Sequence, residues 1–335
     1  MNPRYRRLLI PGLLAALVLV VIIASATGRA DAADDVGATQ VSVLSDPRII
    51  EASGLALSTR YDDLGYVIND SGQAQLVFAV TISTGEVVGT TAVTGGQWRD
   101  SEALSIDDAG TLWVADTGDN LEQRDDAALY AFDEPGPGDH TIEATRYPVA
   151  YEAGSQNAET LLIQPSTHAK YLVSKGLLAG GVFELPDPLS TTTANVARRI
   201  ADAPGIVTDG AFTPDGSRVL LRTYLDVREV DPATWEEAGS IQTPPMAQSE
   251  SLAVESGGRT FLVGSEGESS PLIRVVIPDG SAVPTASATP KDDPVPVDAN
   301  GDPRANQGFA GRTWAGAAVG LLALLGMGVW VARRN

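Results

Sequence analysis

Short runs in which Leu, Ile, Val and Phe alternate with polar residues fill positions 39–277, and one of these runs recurs. A small or acidic residue stands just before the alternation in SGLAL (53–57), SEALSI (101–106), AETLLI (158–163), DGAF (209–212) and SESLAV (249–254). Anchored on Gly54, Glu102, Glu159, Gly210 and Glu250, the copies lie 48, 57, 51 and 40 residues apart. A period of two predicts half-buried strands, because successive side chains of a strand point to opposite faces. Strand repeats about 40–50 residues apart predict an all-β fold of the β-propeller type. No helical period interrupts the region, which argues against α/β folds.

The second repeat divides into strands at 101–106, 111–115, 127–132 and around 141–150. The turn Asp107-Asp108-Ala109-Gly110 is matched by Pro214-Asp215-Gly216 and Ser256-Gly257-Gly258, all hairpin signals between alternating runs. The fifth repeat supplies three strands, at 249–254, 259–264 and 271–277, and the segment 39–44 is available as its fourth. Pairing the two chain ends in this way would close the ring and leave no open sheet edge. Five blades are expected, with six as the alternative because the interval of 57 residues is long. The Gly-His and Trp-Asp dipeptides of WD repeats and the register of kelch glycines are absent.

Two uncharged apolar segments frame the repeats. Residues 8–27 follow Arg4, Arg6 and Arg7, and the small-x-small motifs Ala24-Ser25-Ala26 at the end of the run and Ala30-Asp31-Ala32 after it complete the layout of a secretory signal. The run is also long enough to stay as an anchor. Residues 314–332 end in Arg333-Arg334, which reads as a stop-transfer helix with a cytoplasmic tail. Between them, prolines 278, 284, 290, 294, 296 and 303 stand among small and polar residues, the composition of a disordered stalk. The expected organisation is a signal peptide or N-terminal anchor at 1–32, a propeller at 33–277, a stalk at 278–312 and a transmembrane anchor at 313–335. That places the main domain outside the cytoplasm on a cell membrane, crossed once or twice.

The chain carries a net charge of −20, and its segment 33–332 holds 17 basic against 42 acidic residues, near −25. Such a field repels nucleic acid and favours cations. Cysteine is absent, so an exported domain must rest on its core without disulfides, and thiol chemistry is excluded. Only two histidines occur, in separate turns at His140 and His168, which makes a Ser-His-Asp triad improbable.

The stretch WRDSEALSIDDAGTLWVADTGDN (98–120), with AETLLI (158–163), VTDGAFTPDGSRVLLRTY (207–224) and SESLAV…GSEG (249–267), resembles a family of exported, WD40-like bacterial β-propeller proteins. The resemblance spans most of 33–277 and implies a fold without a substrate. More distantly, the layout is similar to calcium-dependent lactonase and phytase-like propellers. None of their metal-ligand motifs matches residue by residue, so no ligand set is implied.

In a propeller, the start of each inner strand and the end of each second strand open on one face around the central channel. These positions deliver Ser53, Asp100, Glu102, Asn157, Glu159, Asp209 and Glu250 from the first set, and Asn69, Asp70, Asp116, Lys175, Arg222 and Glu266 from the second. Glu102, Glu159, Asp209 and Glu250 are the catalytic or ion-ligand candidates. Carboxylates in phase with core residues are partly desolvated and must find a cation or donors. Asp70, Asp100, Lys175, Arg222 and Glu266 are expected to touch a ligand, and the Trp98 indole to stack on a sugar or other ring. In Asp116-Thr117-Gly118-Asp119-Asn120, oxygen ligands at alternating positions around a glycine point to Ca²⁺, with Asp116, Asp119 and Asn120 as ligands. The leading expectation is a displayed binding surface for a small molecule, glycan or protein. The alternative is a Ca²⁺-dependent hydrolase of a lactone, phosphoester or glycoside.

Overall fold

Every regular element in residues 37–70 and 75–278, the part described by the computed structural model, is a β-strand. The apolar segments 8–27 and 314–332 and the chain from 279 onward lie outside it. Among the described residues no helix is long and apolar enough to cross a membrane.

The strands form successive antiparallel meanders. After β1 (Ala38–Leu44), the first meander is β2 (Ala52–Leu57), β3 (Leu64–Asn69), β4 (Leu76–Thr81) and β5 (Val87–Thr94). The second is β6 (Ala103–Ile106), β7 (Thr111–Asp116), β8 (Ala128–Asp133) and, after the short β9 (His140–Glu143), β10 (Thr145–Tyr151). The third is β11 (Ala158–Ile163), β12 (Lys170–Ser174), β13 (Ala179–Glu184) and β14 (Asn195–Pro204). The fourth is β15 (Val207–Phe212), β16 (Val219–Thr223), β17 (Val227–Val230) and β18 (Glu237–Ile241). The fifth is β19 (Ser249–Val254), β20 (Thr260–Ser265) and β21 (Ser270–Val276), and β1 completes it by pairing antiparallel with β21, Ala38 opposite Val275 and Leu44 opposite Ser270.

The single strand expected around 141–150 is split. β9 leaves its own meander and pairs parallel with β5 of the preceding one, while β10 pairs with β8 and, in parallel, with β14. The surplus length of the interval of 57 residues is thus spent on an edge strand. The β10–β14 pair joins two meanders into one eight-stranded sheet, whose edge strands β6 and β11 return into contact.

Alternation explains the packing. In β7, Leu112 and Val114 face a layer shared with the first meander, while Trp113 and Ala115 face one shared with the third. Three further layers join the third meander to the fourth, the fourth to the fifth, and the fifth to the first. The innermost strands follow the same circuit, each touching the next from β2 through β6, β11, β15 and β19 back to β2. Hydroxyls fasten one meander to its neighbour: Ser53 Oγ donates to the Glu102 carbonyl (2.7 Å), Thr117 Oγ1 to Ala158 (2.8 Å) and Thr208 Oγ1 to Ser249 (2.7 Å). The result is a propeller-like all-β fold. Its apolar residues lie between sheets, and the axis is left to whatever the inner strands project there.

Leu44 ties β1 into the layer between the fifth and first meanders, where it is buried. Leu44→Ala is expected to cost about 2–5 kcal/mol and to lower the melting temperature by about 2–4 °C per kcal/mol. Calorimetry checks this against Leu121→Ala, which changes an exposed side chain and should leave the melt unmoved.

Candidate functional site

At the start of each inner strand one extra residue breaks the pairing with the second strand. Ser53 and Leu55 face Ile68 and Val67, so Gly54 is extra; by the same count Glu159, Thr208 and Glu250 are extra in β11, β15 and β19. In β6, Glu102 N–H and the paired Ala103 both address Ala115, so Glu102 holds the corresponding place. A bulge re-aims its side chain and bends the strand. One structural slot therefore presents Gly54, Glu102, Glu159, Thr208 and Glu250. The register also defines the slot one residue past the position paired with the residue before each bulge, filled by Asn69, Thr117, Lys175, Tyr224 and Glu266.

These two slots meet. Glu159 Oε2 accepts from Lys175 Nζ at 3.0 Å and Oε1 from Asn157 Nδ2 at 2.6 Å. Lys175 lies 5.1 Å from the Tyr224 ring centroid, and the Tyr224 side chain is close enough to Lys175 and Glu250 to favour the charged form of each. Burial pulls the Lys175 ammonium down, but Glu159 and Glu250 outweigh it and hold the group well above its ordinary value. One lysine faces many acids. Burial pushes Glu250 up to about 8, opposed by Lys175 and reinforced by Glu159 and Glu266. Burial and then Asp70 push both Asp100 and Glu266 up to about 7.

Asp70, Asp100 and Glu102 form the acidic extreme, with one carboxylate oxygen of each within 4.8 Å of the others. Burial, then Glu159 and Asp70, raise Glu102 well above the usual carboxylate range. Its side chain is buried, and among the described residues no donor hydrogen-bonds it or Asp100. Gly118 makes room for the pair: a Cβ there would stand 2.4 Å from Glu102 Oε1 and 2.6 Å from Asp100 Oδ2. A buried carboxylate, two companion carboxylates and a glycine cradle fit a hard divalent cation.

Several expected site residues do other work. Asp116 accepts the N–H groups of Arg99 (2.9 Å) and Asp100 (2.7 Å) and pairs with Arg124 Nη2 at 2.8 Å. Asp119 Oδ2 accepts the Arg124 N–H at 2.6 Å, and Asn120 is exposed. Asp116 and Asp119 thus hold a turn around Arg124, while Asn120 stands in solvent. Asp209 lies one residue past the bulge slot, where its fully buried carboxylate accepts Leu252 N–H (2.7 Å) and Gly210 N–H (2.8 Å). Arg222 falls two residues short of the second slot. It is fully buried, donates to Met246 Sδ at 3.1 Å, and is pulled down to about 10 by burial. Trp98 is half-buried against the first apolar layer, its ring 5.9 Å from that of Tyr130 and tilted 55° to it. His168 pairs with Asp108 at 2.9 Å between two hairpin turns at the opposite end of the strands. Tyr224, two residues beyond Arg222, is the register equivalent of Lys175, and that equivalence is the signal in the sequence that points to it. Arg124, a basic residue eight positions after Asp116, gave no repeat signal.

No protein-family model matches the chain, and no curated protein does. Among solved structures it is similar to a gluconolactonase from Xanthomonas campestris, 12% identical, over 68% of this chain and 72% of that one, with a TM-score of 0.45. A likeness this loose transfers neither residues nor activity.

Glu250 titrates near 8 when folded and near ~4.3 when unfolded. Between those values the folded state holds the extra proton, so this group makes stability fall as pH rises and levels off above the upper value. Melting temperatures from pH 5 to 8.5 should fall in the wild type and fall less steeply in Glu250→Gln. A wild-type melt that rises over this range contradicts the assignment.

Proposed function

We propose that the chain is a membrane-anchored, extracytoplasmic propeller of five blades that holds a divalent cation, Ca²⁺ by its oxygen chemistry, and binds a ligand or protein partner on the acidic face above it. The observation that carries this reading is the buried Glu102 carboxylate meeting Asp100 and Asp70 over Gly118. Three side chains leave Ca²⁺ short of the 6–8 oxygens it takes, so water or a ligand must supply the rest. The five shared apolar layers and the β1–β21 pair support the blade count.

Calorimetric titration with Ca²⁺, Mg²⁺ and Mn²⁺ tests the cation. Saturating ion at 100 times Kd should stabilise the wild type by about 2.7 kcal/mol. Asp100→Asn and Glu102→Gln should abolish the response and melt higher than the wild type without metal, because each removes a repelled carboxylate. Asp119→Asn should retain the response. Arg124→Leu should cost about 3–5 kcal/mol by stranding buried Asp116, with ion binding kept.

A second reading, a Ca²⁺-dependent hydrolase of a lactone, phosphoester or glycoside, is favoured by Asp100, Glu266 and Glu250, held at about 7, 7 and 8. Carboxyl groups near the working pH suit proton transfer beside a cation. Glu159 and Glu250 would carry that chemistry, and Asp209, clamped by backbone amides, would take no part. Turnover of any of these substrate classes that disappears in Glu159→Gln, with an unchanged melt, would select it over binding alone.

A further inference from the structure

The loops from second to third strands stand around the acidic mouth and are of two kinds. In the second, third and fourth meanders, residues 117–127, 175–178 and 224–226, they carry leucines held in solvent: Leu121 is 70% exposed, Leu177 60%, Leu178 90% and Leu225 49%. Every exposed leucine among the described residues lies in this arc. The corresponding loop of the fifth meander carries Glu266 and Glu268, and Asp70 opens that of the first.

The leucines are displayed on fixed backbone. The Ile206 N–H donates to Gly176 O at 2.7 Å and pins the loop bearing Leu177 and Leu178. Thr223 Oγ1 accepts the N–H groups of Leu225 and Asp226, each at 3.1 Å, leaving Leu225 at the tip of a tight turn. Arg124 donates to Gly118 O at 2.7 Å and its N–H to Asp119, closing the loop that carries Leu121. Each leucine sits one to three residues from a residue that anchors the mouth or its flanking turn: Tyr224, Lys175 or Asp119.

We infer that this rim docks a folded protein partner presenting apolar hollows flanked by lysine or arginine side chains. The inference rests on reading this face as a binding surface and adds the partner's chemistry. Protruding, pinned apolar side chains fit hollows in a partner and anchor an interface when covered. The acidic sector beside them selects basic neighbours and rejects acidic ones. A second copy would set these acids against its own, in a chain of net charge −20. A bilayer laid on the leucines would strip water from the carboxylates with no counter-charge in return.

The full chain in nanodiscs of zwitterionic lipid is titrated with a 14-residue amphipathic peptide of leucine and lysine, a lysine–serine peptide of equal charge, and a leucine–glutamate peptide. The leucine–lysine peptide should bind on the order of tenfold tighter than the lysine–serine one, with the leucine–glutamate peptide weakest. Replacing Leu177, Leu178 and Leu225 together by serine should erase that preference and leave the melting curve and the Ca²⁺ response unchanged. Equal binding of the first two peptides, or a preference that survives in the triple variant, overturns the inference. So does leucine-dependent uptake of added vesicles without peptide preference, which assigns the rim to a membrane. A missing Ca²⁺ response with the preference intact sinks the cation reading alone; the reverse result sinks only the docking surface.

Discussion

The pair between Lys175 and Glu159 sits where the electrostatics of the whole domain are decided. Apolar residues are consumed in layers between sheets, so the axis receives the side chains that bulges aim at it. Those are mostly carboxylates, and Lys175 is the cation that reaches several of them at once. It is bonded to Glu159, shares Tyr224 with Glu250, and lowers the charge cost at Glu102 and Glu266. One ammonium cannot neutralise them all. The remainder must be protonated or meet a cation from solution, and the raised pKa values of Asp100, Glu250 and Glu266 express the first of these outcomes.

Protons and a divalent ion would therefore compete for the same oxygens. An ion at Asp70, Asp100 and Glu102 would reverse the local logic, since a nearby cation favours the charged carboxylate. It would also loosen the protons on neighbouring acids, coupling ion occupancy to the charge of the whole mouth. Arg124 stands outside this competition, ion-paired with Asp116 and Asp126. Arg222 does not: Glu250, then Asp209 and Asp226, favour its charge, and two of its guanidinium nitrogens have no hydrogen-bond partner among the described residues.

Strand alternation made the all-β class legible because each buried strand serves two apolar layers through alternate residues, as β7 does with Leu112 and Trp113. The acids Glu102, Glu159 and Glu250 were legible for a related reason: they keep a fixed distance from the alternation that follows them. What sequence spacing could not reveal was the bulge, which inserts one residue without changing composition. It shifts Asp209 off the slot and puts Thr208 on it, and the same register puts Tyr224, two residues past Arg222, in the second slot. The Asp116 turn misled differently. Acid-rich turns look alike whether an ion or an arginine neutralises them, and Arg124 lies outside the motif. β9 was illegible because its partner is the preceding sheet, a long-range choice that local pattern does not encode.

The bulge slot itself argues that its acids serve something beyond folding. Architecture makes the same demand on all five places, yet Gly54 and Thr208 satisfy it without a carboxyl group. The ring thus closes with a hydrogen atom or a hydroxyl at that position. At the other three, Glu102, Glu159 and Glu250 impose desolvation and mutual repulsion on a domain that has no disulfide to absorb the loss. A cost that the fold does not require, repeated at three of five equivalent positions and directed to one mouth, is what the proposed ligand site would account for.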